Sequence, residues 1–159
     1  MKKLWNRPDY GVWSLVTKDD NGTFNMNICS YVTPVSMKPK VLMVAVYHGT
    51  KTRENIAIGA RVRLQLLAES QAPLVRLLGK QSGKKVSKLA RLQKRDCVTY
   101  ADMWPYLTDA VGYLDLKVVT LVTVGLDHDL ALCRVTSHHN LSDEPILTTS
   151  YLKENRFTR

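Results

Sequence analysis

The chain has 159 residues, 45% of them hydrophobic, which suits one domain with one buried core rather than two. Its apolar runs, residues 41–47 and 118–126 with Thr120 and Thr123 interrupting the second, are too short to cross a bilayer. The formal charge of +9 favours an anionic partner, whether nucleic acid, a phospholipid headgroup or a phosphorylated small molecule.

The first residues carry two lysines, but Asn6, Arg7, Pro8 and Asp9 arrive before any apolar stretch, which argues against a secretory signal and for the cytoplasm. Residues 12–17, VWSLVT, are β-branched and aromatic and run into KDDNG, where Asn21-Gly22 is a strong hairpin signal. The return arm, residues 23–32, is expected to pair back. It carries Asn25, Asn27, Cys29 and Ser30 where a plain strand core would be apolar, so something polar is expected against it. Pro34 and Pro39 bracket a short loop. Residues 41–47 are almost wholly apolar and read as a core strand buried on both faces.

Thr50 reads as a helix N-cap, with Glu54 close behind and Gly59 as the stop. Residues 61–68, RVRLQLLA, alternate and are expected to form a half-exposed strand. Residues 70–78 and 86–92 look helical around the basic connection GKQSGKK, giving a helical insertion at about 70–95. The lysines and arginines from Lys80 to Arg95 fit a solvated helix face better than a phosphate patch. Residues 113–126 form the longest β-type segment, and Asp127-His128-Asp129 turns it into residues 130–136. A short strand is expected at residues 146–149. The total is six or seven strands, antiparallel, with few helices, and a barrel is favoured because closure removes edges.

Several groups could do chemistry. Thr50, Lys51 and Thr52 enter a helix and supply donors of the kind a phosphate needs. Asp127 beside His128 could orient an imidazole for proton transfer. Cys29, Cys97 and Cys133 are odd in number and widely spaced, which suggests reduced thiols rather than disulfides or a zinc site. His138 and His139 would point to opposite faces of a strand, a poor start for any metal site. Nucleic-acid binding would need aromatics interleaved with the basic residues, and Trp5, Trp13 and Trp104 are scattered instead.

The run NMNICSYVTPVSMKPKVLMVAVYHGTKTRENI resembles the flavin reductase-like family, the FMN-binding split barrels. The matching pieces are Cys29-Ser30-Tyr31, Ser36-Met37-Lys38-Pro39, the apolar residues 41–46, and residues 48–52. Further on, LLGKQSGKKVSK, PYLTDAVGYLDLKVV and LDHDLALCRV are similar to later family segments, so the resemblance covers nearly the whole chain. It implies a mainly β, antiparallel, six- or seven-stranded split β-barrel in a homodimer that holds FMN, with FAD as the alternative. Asn25, Met26, Asn27, Cys29 and Ser30 would lie along the ring and ribityl chain. Ala45, Val46 and Tyr47 would back the ring, and Lys51 with Thr52 would hold the phosphate. His128 would lie near the nicotinamide or acceptor. Hydride would pass from NADH or NADPH to the flavin, and onward to a small-molecule acceptor.

The chain departs from the family pattern at Leu126, Cys133 and Leu77-Leu78. Those departures keep a flavoprotein electron carrier or small-acceptor reductase in view, and the rival of a different class is a basic β-barrel that binds nucleic acid without a cofactor.

Overall fold

A computed structural model describes residues 3–123 and 125–158. Part of the two-lysine start, Val124 within the apolar run 118–126, and the last residue of the basic tail lie outside them.

Asn21-Gly22 forms the expected turn. Gly22 adopts a φ of +84°, and Asp19 Oδ1 accepts from the backbone N–H groups of Asn21 and Thr23. The turn joins β1 (Trp13–Lys18) to β2 (Phe24–Cys29) in antiparallel register. The return arm does not continue to residue 32 as one strand. It breaks at Ser30-Tyr31 and resumes as β3 (Val32–Met37), which carries Pro34 inside it and pairs with β4 (Lys40–Tyr47) across a bulge. The loop expected between the two prolines is therefore mostly strand. Pro34 is tolerated because β3 is an edge.

Then come the short helix α1 (Lys51–Asn55), β5 (Arg61–Leu66), a 3₁₀ turn at Glu69–Leu74, and the helices α2 (Val75–Lys80) and α3 (Lys88–Gln93). A small hairpin, β6 (Val98–Ala101) with β7 (Trp104–Leu107), is an element the sequence reading lacked. The long hairpin of β8 (Gly112–Val122) and β9 (His128–Asn140) pairs as expected, but its bounds differ: β8 stops at Val122, and His128 and Asp129, expected in the turn, already pair with Tyr47 and Val46 of β4. Residues 146–149 form no strand. Ile146 and Thr148 make isolated bridges to Ala68 and Gly11, and Thr148 then caps the helix α4 (Thr149–Glu154).

Among the described residues, seven strands form one antiparallel sheet in the order β2-β1-β5-β8-β9-β4-β3. The two edge strands are consecutive in the chain, so the sheet curls until β2 runs into β3. The N–H of Ala45 donates to the carbonyl of Tyr31 at 3.0 Å, which carries the β3–β4 ladder back to the point where β2 ends. The result is a barrel split along one side.

Two cores result from the alternation along the strands. Leu15, Leu42, Val44, Val46, Leu64, Leu116, Val118 and Cys133 fill the barrel. Val16, Met26, Leu74, Leu78, Leu92, Leu107, Leu147 and Leu152 pack outside it, beneath the insertion and α4. Strand β4 is not buried on both faces: Leu42, Val44 and Val46 point inward, while Val41, Met43 and Ala45 remain half-exposed. Strand β5 errs the other way. Its polar residues Arg63 and Gln65 are fully buried, because the β6–β7 hairpin covers that face. Arg63 meets Asp115 through two hydrogen bonds, 2.9 and 3.0 Å, and donates to the carbonyls of Ala101 and Trp104.

Candidate functional site

Two clefts meet at the split. The larger, of about 470 Å³, runs between the end of β2, the loop into α1 and the connection from α2 to α3. The smaller, about 160 Å³, lies where β2 turns into β3, against the outer face of β4. They share Asn27, Ile28 and Tyr47 and so form one continuous surface.

The smaller cleft is walled by Cys29, Ser30, Tyr31, Ala45, Tyr47 and His128. Its flat surfaces come from aromatic packing, with the His128 ring 5.1 Å from Tyr47 and 5.8 Å from Tyr31 between centroids. His128 Nδ1 lies 2.8 Å from Asp127 Oδ1, and this bond is the main cause holding the Asp127 carboxyl below its usual range. Cys29 is no nucleophile: burial pushes its thiol up to about 12, with Cys133 adding to the effect.

The larger cleft gathers the hydroxyls and cations. Thr50 caps α1 by accepting from Arg53 N, and its own hydroxyl donates to the Tyr47 carbonyl. Helix α1 has only five residues, so side chains matter here more than its dipole. Buried Thr52 accepts from Asn25 Nδ2 at 3.0 Å, which leaves its O–H free to donate. Lys51 turns aside to pair with Asp19 Oδ2 at 3.1 Å.

In its place the insertion supplies Lys80, Ser82, Gly83 and Lys88. A Cβ on Gly83 would collide with the Asn25 side-chain amide and crowd Lys51, so only glycine lets this loop close down on β2. Lys88 is 5% exposed and, among the described residues, pairs with no carboxylate. Its Nζ donates to the Leu78 carbonyl at 2.5 Å, and burial pulls its ammonium down to about 8. A buried cation without a counter-ion is costly unless an anion joins it. The basic run, expected from its sequence to be a solvated face, gives Lys88 to the cleft instead. The glycine pair around Gln81-Ser82 was the available signal.

Of the residues expected to touch a flavin, Asn25, Asn27, Lys51 and Thr52 line the larger cleft, and Asn27, Cys29, Ser30, Ala45 and Tyr47 the smaller, together with His128. Met26 and Val46 do not. Their side chains take the opposite faces of their strands, Met26 into the outer core and Val46 into the barrel, so each offers only its backbone. The side chains also favour a ligand that combines a ring with an anion. Among the described residues Asn27 Oδ1 is buried without a partner beside both clefts, and the Gly83 cradle with Lys88 suits negative charge.

Known structures share this architecture. The styrene monooxygenase flavin reductase of Pseudomonas putida S12 superposes with a TM-score of 0.71 at 23% identity, covering 89% of this chain and 86% of that one. The NADH:FAD oxidoreductase of Streptomyces globisporus, solved with NAD and FAD fragments, gives 0.74 at 17% identity, covering 91% and 83%. An FMN-binding protein from Thermus thermophilus gives 0.73 at 20%, covering 88% and 75%. Against a larger oxidoreductase-like structure from Sinorhizobium meliloti 1021, the TM-score is 0.77 at 19% identity. There the alignment takes in 91% of this chain and about half, 48%, of the other. No curated protein matches the chain. The model of the flavin reductase like domain matches residues 6–156, nearly the full length, and the chain belongs to that family of flavin-dependent oxidoreductases.

Proposed function

We propose that this protein acts as a single-domain FMN-dependent reductase, taking hydride from NADH or NADPH and passing electrons to a small-molecule acceptor. The observation that carries the choice of a phosphorylated flavin is the pairing of a ring-sized aromatic cleft with an anion cradle, continuous through Asn27 and Tyr47. When bound, the flavin would supply the hydride-accepting ring, and the chain supplies position and surroundings.

Thr52, Ser82 and Lys88 would hold the phosphate, in a cleft that Gly83 also lines. Lys51 supports this cluster from its pair with Asp19. Ala45, Tyr47 and Ser30 would flank the ring, and Cys29 borders the same cleft while its protonated thiol packs against the barrel core near Cys133. His128, packed against Tyr31 and Tyr47 and tied to Asp127, would border the second reactant and orient it over the ring.

A homodimer fits the exposure of apolar residues on β3 and β4. Val35 is 52% and Met37 83% exposed, and Val41, Met43 and Ala45 are half-exposed beside them. Among the described residues no helix is long and apolar enough to cross a membrane.

The deciding experiment is a visible spectrum of the purified protein before and after adding FMN, followed by anaerobic addition of NADH or NADPH. Flavin bands that bleach on adding a nicotinamide are expected. Failure to bind flavin would overturn the reading, and bound flavin that neither nicotinamide bleaches would make the protein a carrier.

A further inference from the structure

The α1 end of the larger cleft holds a group that the flavin reading does not use. That group is His48, and behind it Asp129, at the start of β9, is 2% exposed and bonded by His48 and Arg53, with the Thr123 side chain adding to the set. His48 Nε2 lies 2.7 Å from Oδ1, and Arg53 Nε donates to Oδ2. These bonds, that of His48 foremost, hold the carboxyl below its usual range, so it is ionised and can only accept. Nε2 must then carry the proton. In the neutral ring this leaves Nδ1 with a free lone pair, an acceptor.

His48 is pinned a second time by its backbone N–H, which donates to the Asp127 carbonyl at 2.9 Å. Its side chain is 41% exposed, and the residue lines the cleft beside Asn27, Tyr47 and Thr50. Among the described residues Nδ1 has no hydrogen-bond partner.

Asn27 Oδ1, on the facing strand of the same cleft, is also buried and without a donor. The cleft therefore presents two acceptors where the aromatic pocket gives way to the cations. A ligand that satisfies both must bring hydroxyl or N–H donors between its ring and its anion, and a polyol chain does so.

We propose that His48 is a specificity-determining residue that accepts, at Nδ1, a hydrogen bond from a hydroxyl of the polyol chain of the bound flavin, with Asp129 and Arg53 as its positioning residues. The proposal rests on the flavin reading and adds to it a residue and a part of the ligand. It makes the protein select for the chain as well as for the ring and phosphate.

The test compares riboflavin, which has the ring and the polyol, with lumiflavin, which has a methyl group in place of the polyol, by fluorescence quenching. In His48→Gln the amide reaches the Nε2 position and keeps the Asp129 contact but loses the cleft acceptor. Riboflavin should bind about tenfold more weakly while lumiflavin is unchanged. His48→Phe should reproduce that loss. In His48→Asn the amide stands near Nδ1, so preference for riboflavin should return to within about threefold of the parent. Asp129→Asn, which can donate to Nε2 and reverse the tautomer, should lower the preference without altering lumiflavin binding. Equal weakening of both ligands, or of neither, in His48→Gln would overturn the role of His48 while leaving the flavin reading intact. A parent protein that binds neither ligand would overturn the flavin reading itself, and this inference with it.

Discussion

Lys51 and Asp19 face each other across the mouth of the cleft, Nζ to Oδ2 at 3.1 Å, so the lysine nearest α1 already has its counter-ion. Both groups reach solvent, and such pairs contribute little. Lys51→Ala should therefore change FMN affinity by no more than about threefold, whereas Lys88→Met should weaken it by tenfold or more, since an unpaired buried cation has no other anion to meet. Fluorescence titration of the two variants with FMN checks the ranking. A larger loss at Lys51 would return the phosphate to the α1 loop.

Gly83→Ala places a methyl group into the Asn25 amide, and the loop must lift away from β2 to accept it. Flavin binding should fall by about tenfold, the equivalent of roughly 1.4 kcal/mol. The melting temperature without flavin should move little, because the loop lies over a cleft rather than a core. Calorimetry with and without FMN separates the two effects.

Lys88 makes binding depend on pH in a direction opposite to stability. Burial pulls its ammonium from 10.5 down to about 8 in the folded protein. Between those values the unfolded chain holds more protons than the folded one, so stability without ligand should rise as pH increases through that window. A bound phosphate favours the charged lysine, so FMN affinity should fall by about tenfold between pH 7 and pH 9. Lys88→Met should flatten both trends, as equilibrium denaturation and FMN titration across that range would show.

Arg63 and Asp115 are buried beneath the β6–β7 hairpin, and neither can lose its partner cheaply. Arg63→Met should destabilise the protein by about 3–5 kcal/mol, because it leaves a buried carboxylate without its main cation. Adding Asp115→Leu should recover much of that loss. Urea denaturation of the single and double variants is the measurement.

The three thiols should differ sharply in reactivity. Cys29 and Cys133 are both pushed up to about 12, so at pH 8 only on the order of one in ten thousand is thiolate. Cys97 is half-buried near the surface, with its Sγ against the Arg95 carbonyl. Brief alkylation of the native protein followed by peptide mass mapping should find the label on Cys97 alone.

Much of this fold could be read from local chemistry. Asn21-Gly22 announced the first hairpin, Thr50 its cap, and the apolar β-type run the β8–β9 hairpin. What could not be read depended on what lies above a strand. Arg63 and Gln65 alternate with apolar residues as on any solvated face, and only the β6–β7 hairpin, distant in sequence, buries them. The residues 41–47 mislead in the opposite sense, since being apolar does not place a cover on the outer face of β4.

The site divided in the same manner. The polar residues of β2 stood out because strands seldom carry them, but alternation sends Met26 between them into a different core. Lys88 looks like its solvated neighbours in sequence, and only Gly79 and Gly83 hint that the connection before it folds over the cleft. The bond between His48 and Asp129 joins residues 81 positions apart and depends on the pairing of β4 with β9.

The open seam between β2 and β3 also sets where the protein should breathe. Each inner strand is secured by neighbours on both sides, whereas β2 and β3 each have one partner strand, and at Ser30-Tyr31 these two ends of the sheet meet through the chain itself. Amide exchange should be fastest among the strand residues there, and a ligand lying along Asn27, Ser30 and Ala45 would act as the missing rung. Occupancy of the cleft would then be felt first as slower hydrogen exchange at this seam, so that holding the cofactor and finishing the barrel become one cooperative event.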